Sequence, residues 1–150
     1  MSTEVGRDAL LDARSLQDTM VALVRAFDLH QPEQTPCGEP VPVSQAHALM
    51  ELARDRALPQ HELGGRLRLQ RSTVSRLVAQ LERRGWVCRD RHEGDARVAM
   101  LSLTTAGRAA ADQLATARAA KFAELLAAIP DTDRGTVRAG LAVLVEALRG

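Results

Sequence analysis

The sequence predicts a mainly α-helical protein that carries one small β-hairpin. Apolar residues recur at spacings of three and four along most of the 150 residues, which is the pattern of amphipathic helices. Aromatic residues make up only 2% of the chain, so the core must consist mostly of Leu, Val and Ala, and such a core suits packed helices better than a β-sandwich. Strand-like alternation is confined to the stretch from Trp86 to Leu103.

The first helix is predicted over residues 7–30, and a loop follows it. The apolar positions of this helix are Leu16, Met20, Leu23, Val24 and Phe27. Residues 31–42 hold four prolines, which interrupt both helices and strand ladders. A second helix is then expected to begin with Ser44 as its N-cap and to end near Asp55.

Two shorter helices are predicted next. Pro59 suits the first turn of a third helix over about residues 60–67. Gly64 and Gly65 weaken this helix by roughly 1 kcal/mol each relative to Ala, and close helix–helix approach is the expected reason for them. The fourth helix ends at Gly85, and its inward stripe is Val74, Leu77, Val78 and Leu81.

The hairpin and two final helices complete the predicted order α-α-α-α-β-β-α-α. The turn of the hairpin is expected at residues 92–95, and Trp86 and Cys88 are expected to be buried beneath it. Thr104 or Thr105 caps a long helix that ends before Pro130, and the last helix covers about residues 132–148. This length and pattern predict a single domain over residues 1–150.

Composition excludes several classes of protein. No apolar run reaches the roughly 18 residues that a membrane span needs, and the N-terminal residues lack the apolar segment of a signal peptide, so a cytoplasmic location without membrane contact is expected. Cys37 and Cys88 are too few for a disulfide framework. No Gly-rich phosphate loop, nucleophile elbow or HExxH motif is present, which argues against an enzyme, and no cofactor is predicted.

Charge is distributed unevenly along the chain. The net charge is only +1, but residues 66–97 carry nine arginines against four acids, a net of +5. Clustered cations neutralise phosphates, although an Arg-rich stretch can also be a solvated face.

The fourth helix and the hairpin together predict an interface for double-stranded DNA. A major groove about 12 Å wide accepts one α-helix that is packed from behind and presents short polar or Arg side chains in front. Arginines on a β-ribbon suit a narrow minor groove. The predicted DNA-binding residues are Gln70, Arg71, Ser72, Thr73, Ser75, Arg76, Arg89, Arg91, Asp95 and Arg97.

Asp95 allows two interpretations, because a carboxylate beside arginines repels phosphate. It can hold Arg97 or Arg89 in a fixed geometry, or it can form an exposed salt bridge worth about 0–1 kcal/mol. Spacing alone favours the salt bridge.

Residues 61–107 resemble the MarR family of bacterial transcriptional regulators. The resemblance is carried by Ser72-Thr73-Val74-Ser75-Arg76-Leu77, Leu81-Glu82, Gly85, Arg89, Asp95, Arg97, Leu101, Leu103, Thr104 and Gly107. It departs from the family pattern at Gly64-Gly65, Arg68 and Trp86, which affects the turn before the fourth helix and the base of the hairpin.

The resemblance implies a winged helix-turn-helix over about residues 43–103 inside a homodimer. Dimerisation helices would cover about residues 7–30 and 104–149. The fourth helix would enter the major groove and Arg97 the minor groove on each half of a pseudo-palindromic operator, and Asp95 would orient Arg97. A ligand-responsive repressor is the implied function, and a small-molecule effector the implied partner.

Several residues are candidates for sensing. A pocket for a phenolic or lipophilic ligand, as is common in the family, would be lined by Met20, Phe27, His47 and Met50, although all four also suit a core. Cys37 is the candidate redox thiol, and a set of His30, Cys37 and His47 has no recognised metal spacing. The alternatives are therefore a redox- or metal-responsive regulator of the same fold, or a winged-helix interaction module that does not bind DNA.

Overall fold

The structure is a computed structural model that describes residues 2–150, with side chains from residue 8 onward. Over these residues the elements are α1 (Ser2–Ala26), α2 (Val43–Arg54), β1 (Leu58–Pro59), α3 (Gln60–Leu67), α4 (Arg71–Arg83), β2 (Val87–Arg91), β3 (Ala99–Leu103), α5 (Thr105–Ala128) and α6 (Asp131–Arg149). The predicted fold class, mainly helical with one hairpin, is confirmed.

The ends of two helices differ from the prediction. Ser44 does not cap α2, because the helix begins at Val43 and Pro42 occupies the N-cap position without a side-chain hydrogen bond. Pro59 likewise stands at the N-cap of α3 and not in its first turn. In both cases a proline in extended conformation leads the chain into the helix, so the start is set by the fixed φ of Pro and not by a capping hydroxyl.

A strand that the sequence analysis missed completes the sheet. Leu58 and Pro59 of β1 pair antiparallel with Leu101 and Met100 of β3, and the sheet order is β1-β3-β2. A strand of two residues is too short to show alternation. Its proline is tolerated because β1 lies at an edge of the sheet, where one side needs no ladder hydrogen bonds.

The core lies where α2, α3 and α4 pack against the sheet and the first half of α5. The predicted inward stripe of α4 is confirmed, since Val74, Leu77, Val78 and Leu81 are all buried. The largest fully buried side chains of this core are Leu49, Leu52, Leu63, Val78, Leu81 and Leu101. Helix α4 is thus held from behind, and its opposite face stays exposed.

The turn between α3 and α4 uses an unusual residue. Arg68 adopts the left-handed conformation (φ 55°, ψ 40°), and its N–H donates to the carbonyl groups of Gly64 and Gly65. Gly64 itself is buried, and a Cβ at this position would lie 3.1 Å from Cγ2 of Val74. The close approach of α3 and α4 therefore explains Gly64, while nothing lies within 4 Å of a Cβ at Gly65.

A compact hydrogen-bonded junction joins the end of α4 to the start of α5. Gly85 (φ 74°) ends α4, and its N–H and that of Trp86 donate to carbonyl groups of the last helical turn. The Thr104 hydroxyl donates to the carbonyl oxygen of Gly85 (2.6 Å) and accepts the N–H of Gly107 (3.0 Å), so the predicted cap at Thr104 is confirmed. A Cβ at Gly107 would lie 1.9 Å from the carbonyl oxygen of Trp86.

Trp86 packs against the core as predicted, but Cys88 does not. Trp86 is half-buried, and the guanidinium of Arg84 lies 4.7 Å from its ring centroid. Cys88 is exposed and contacts the Ser102 hydroxyl at 3.0 Å. The prediction that Cys88 is buried is wrong because Cys88 follows the buried Val87 and so points to the opposite face of the sheet, where it lies beside Ser102.

Helices α1 and α6 expose large apolar side chains. Helix α6 buries none of its residues, and Leu141, Val143 and Leu148 are 47%, 71% and 63% exposed. Helix α1 likewise exposes Leu10 and Leu16. Across residues 2–150, no helix is both long enough and apolar enough to cross a bilayer.

The two glycines of α3 should respond in opposite ways to an added methyl group. Gly65→Ala is expected to raise the free energy of unfolding by about 0.5–1 kcal/mol, because the position is helical and open. Gly64→Ala is expected to lower it, because overpacking against Val74 costs about 1–3 kcal/mol. Urea denaturation at one fixed protein concentration measures both; equal shifts for the two variants would contradict the assigned helix contact.

Candidate nucleic-acid interface

The exposed face of α4 carries most of the predicted contact residues. Ser72, Ser75 and Arg76 are exposed, and Thr73 is half-buried. The amide of Gln60, in α3, donates to the hydroxyl of Ser75 at 3.2 Å, which fixes the position of that hydroxyl relative to α3. This face therefore offers short polar groups and one long cation on a rigid helix.

The N-terminus of α4 has no side-chain cap. Gln70 stands at the N-cap position in extended conformation, and its side chain makes no capping hydrogen bond. The first backbone N–H groups of a helix have no partner within the helix, and they carry the positive end of its dipole. The first turn, at Arg71 and Ser72, can thus hold a phosphate group.

A groove of about 450 Å³ separates the start of α4 from the hairpin. Three cations from different elements meet there: Arg71 of α4, Arg89 of β2 and Arg97 of the hairpin loop. The other lining residues are Gln60, His61, Gly64, Gly65, Leu69, Val74, Val98 and Ala99, and none of them is acidic. This charge distribution favours a polyanion with repeated phosphates.

The tip of the hairpin is held by side chains that accept backbone hydrogen bonds. Nδ1 of His92 accepts the N–H groups of Gly94 (3.0 Å) and Asp95 (3.3 Å). Oδ1 of Asp95 accepts the backbone N–H of Arg97 at 2.9 Å. Asp95 therefore orients Arg97 through its backbone, and neither a side-chain salt bridge with Arg97 nor one with Arg89 is present among the described residues.

Two arginines of the basic stretch are neutralised by acids. Arg89 forms an ion pair with Glu82 of α4 at 3.1 Å. Arg66 of α3 contacts Asp55 (2.7 Å), Glu62 (3.0 Å) and Glu51 (3.5 Å), and its hydrogen bonds, first to Asp55 and then to Glu62, raise its pKa above the ordinary value. Arg66 joins α3 to α2, so the charge of +5 counted along the sequence overstates what is free for a partner.

A second cavity lies between the end of α1, the proline-rich loop, α2 and α5. Its volume is about 210 Å³, and its walls are mainly apolar. Phe27, His47 and Met50 line it as predicted, and Cys37 does too, whereas Met20 lies in a separate surface groove along α1. Two cations of α5, Arg118 and Lys121, also line the cavity.

The sequence analysis missed these two cations, although their spacing from a buried residue was a signal for both. Arg118 and Lys121 follow Leu114, a buried residue, at four and seven positions, so they belong to the same helical face. The guanidinium of Arg118 contacts the sulfur of Met50. A cavity with apolar walls and two cations is suited to an anion that has an apolar body.

In the part of the chain that the structure describes, the candidate redox thiol contacts a hydroxyl group, and the candidate metal ligands form no cluster. The sulfur of Cys37 lies 3.0 Å from the hydroxyl of Thr35, and Cys37 is half-buried. Among the described residues, no three His, Cys, Asp or Glu side chains form a group that could hold a metal ion.

Comparisons with known proteins identify the family. Residues 41–99 match the sequence profile of the MarR family. Two HTH-type transcriptional regulators, from Mycobacterium bovis and Mycobacterium tuberculosis, are each 30% identical to this chain over 127 residues, which is 85% of the chain and 87% of each relative. The chain belongs to the MarR family. MarR proteins are transcriptional regulators and not enzymes.

Solved MarR structures share the fold over nearly the whole chain. The PcaV transcriptional regulator from Streptomyces coelicolor, solved with its natural ligand, is 25% identical, with a TM-score of 0.63 over 91% of this chain and 90% of that one. FabT from Streptococcus pneumoniae, solved with DNA, is 18% identical, with a TM-score of 0.69 over 95% and 96% of the two chains. The winged helix-turn-helix fold is thus confirmed.

The departures from the MarR pattern leave the helix-turn-helix intact. Arg68, which replaces a common turn former, adopts the left-handed conformation that the turn needs. Gly64 permits the contact with Val74. Trp86 fills space at the base of the wing, the β2–β3 hairpin with its loop, so these changes are accommodated by local packing.

Proposed function

We propose that this MarR protein binds double-stranded DNA sequence-specifically as a homodimer and represses transcription until a small effector binds. Each copy would insert α4 into a major groove and Arg97 of the wing into the neighbouring minor groove of a pseudo-palindromic operator. The meeting of Arg71 and Arg97 in the groove between α4 and the wing, beside the ion-paired Arg89, carries this proposal.

The exposed residues on either side of this groove would contact DNA. Arg76, Ser72 and Ser75 lie on the free face of α4, where an Arg can read guanine and hydroxyl groups can read several bases. The proposed contact set is Gln70, Arg71, Ser72, Thr73, Ser75, Arg76, Arg91 and Arg97, with Asp95 ordering the wing tip. FabT, and also MepR from S. aureus, with a TM-score of 0.65, were solved with DNA, which supports DNA as the partner.

The exposed apolar surfaces of α1 and α6 support a homodimer. Val137, Leu141 and Leu148 recur at helical spacing along α6, which has no buried residue in the isolated chain. Contiguous apolar surface of this kind marks an interface. A second copy would bury it and would place two α4 helices one helical turn of DNA apart.

The cavity beside α5 supports an effector site. An apolar cavity of about 150 Å³ can hold benzene, so about 210 Å³ suits one substituted aromatic ring. Arg118 and Lys121 favour a carboxylate or phenolate on that ring. Such a ligand would release DNA only if it bound the DNA-free conformation more tightly.

DNA binding is tested with Arg76→Ala, Arg97→Ala and a control, Arg54→Ala, which removes the same charge from α2 outside the groove. Arg76→Ala is expected to cost about 1–3 kcal/mol of binding free energy and to relax sequence preference. Arg97→Ala is expected to reduce the slope of log K against log salt concentration by about one, because one cation that neutralises phosphate charge is lost. Mobility shifts with the adjacent intergenic DNA at several salt concentrations measure both. Wild-type affinity in both variants would contradict the placement of α4 and the wing on DNA, whereas no shift with the wild-type protein would favour an interaction module that does not bind DNA.

Dimer formation is tested with Leu141→Asp in α6. A buried carboxylate opposite an apolar partner is strongly unfavourable, so the variant is expected to sediment as a monomer at concentrations where the wild type sediments as a dimer. Ala57→Asp adds the same charge at an exposed position between α2 and β1, outside the helices expected to form the dimer, and should leave the dimer intact. Monomeric wild-type protein would contradict the proposal.

The effector site is tested with benzoate and its neutral analogue benzamide. Benzoate is expected to weaken the DNA complex, and Lys121→Gln is expected to raise the benzoate concentration required by about tenfold, as the loss of one charged hydrogen bond would. DNA binding without ligand should be unchanged in this variant. Equal effects of the acid and the amide would contradict a role for the two cations.

A further inference from the structure

We propose that Glu82 is a positioning residue, which sets the angle between α4 and the wing through its ion pair with Arg89. The proposal rests on the proposed DNA binding and assigns a different role to Arg89, which the sequence analysis counted as a DNA contact. Among the described residues, the ion pair of Glu82 with Arg89 is the one that connects α4 to the sheet.

The geometry of the pair suits a mechanical role. Nη2 of Arg89 lies 3.1 Å from Oε2 of Glu82, and the two side chains are only 37% and 34% exposed, so solvent weakens the pair less than a fully exposed one. Glu82 follows the fully buried Leu81 on α4, and Arg89 pairs across the ladder with the fully buried Leu101 of β3. Glu82 therefore stands next to a core position of α4, whereas Arg89 lies on a strand that reaches the core through its partner β3.

Strand β2 is held mainly by its ladder to β3, and few of its side chains are buried. It is an outer strand of the sheet and pairs with β3 on one side only. Val87 is its single buried residue, and the following four residues are exposed. Beyond Val87, the ladder to β3 holds the strand, and among the described residues the ion pair with Glu82 is the one charged contact between the strand and α4.

The direction in which DNA affinity changes distinguishes a positioning role of Glu82 from a purely electrostatic one. A carboxylate close to the groove of Arg71, Arg89 and Arg97 repels phosphate, so its removal should strengthen DNA binding if charge were its only effect. If Glu82 holds the wing in place, its removal should weaken DNA binding instead. The two roles thus predict changes of opposite direction.

The experiment compares Glu82→Gln with Asp90→Asn, a matched control on β2. Asp90 is exposed, stands next to Arg89 in sequence and forms no ion pair among the described residues. Glu82→Gln is expected to weaken DNA binding about twofold to fivefold without a change in salt slope, as the loss of a partly exposed ion pair allows. Asp90→Asn is expected to leave affinity unchanged or to raise it.

A charge-reversed pair separates positioning from direct contact. The double variant Glu82→Arg, Arg89→Glu restores the ion pair in the opposite sense and is expected to recover most of the affinity that Arg89→Gln loses. Affinity of Glu82→Gln at or above the wild-type value would overturn the proposal. So would a reversed pair that stays as weak as Arg89→Gln, with a salt slope reduced by about one, since Arg89 would then contact a phosphate.

Amide hydrogen exchange of the DNA-free protein provides a readout that does not depend on the proposed function. Glu82→Gln is expected to speed exchange in peptides from β2 and the wing loop at least about threefold, and the reversed pair should restore protection. Asp90→Asn and the α4 peptides serve as controls. If the wild type binds no DNA, the proposed function fails, but hydrogen exchange still decides the role of Glu82. Unchanged exchange of β2 in Glu82→Gln would overturn the positioning role.

Discussion

The architecture depends on the hydrogen-bonded junction at which α4, the wing and α5 meet. One hydroxyl, that of Thr104, binds the end of α4 through Gly85 and the start of α5 through Gly107. The N–H of Thr104 donates to the carbonyl oxygen of Trp86, and this contact leaves no room for a Cβ at Gly107. The chain thus enters and leaves the wing at this single point, which fixes the base of the wing beside the end of α4.

The same junction explains why the weak ion pair of Glu82 with Arg89 can matter for the position of the wing. The backbone fixes the base of the wing, whereas the outer part is a two-stranded ribbon with few buried side chains. A small change of tilt at the base moves the wing tip, with Arg97, through a larger distance. Contacts at the tip, such as those of His92 and Asp95 with the backbone, give the loop its shape but do not fix its direction.

Periodicity predicted the elements well, and local patterns predicted side-chain partners poorly. The stripe of Val74, Leu77, Val78 and Leu81 located α4 because burial imposes the 3.6-residue repeat directly on the sequence. The partners of Arg66 and Arg89 were missed because they are set by tertiary packing, although Glu62 lies four residues before Arg66 and gave a local signal. Strand β1 was missed because two residues carry no period, and the contact residues of the DNA face stay predictions.

Helix α5 connects the two candidate sites physically. It begins at the junction, where Thr104 and Gly107 hold the base of the wing. Its later turns line the cavity through Leu114, Arg118 and Lys121. A helix transmits a shift along its axis because its backbone hydrogen bonds resist compression. An effector that favoured one position of α5 would therefore act on the wing base over about ten to seventeen residues, or roughly 15–25 Å of helix. The coupling can be no larger than the difference in the effector's affinity for the two positions, so the apolar walls and the two cations of the cavity would set the upper limit on the proposed regulation.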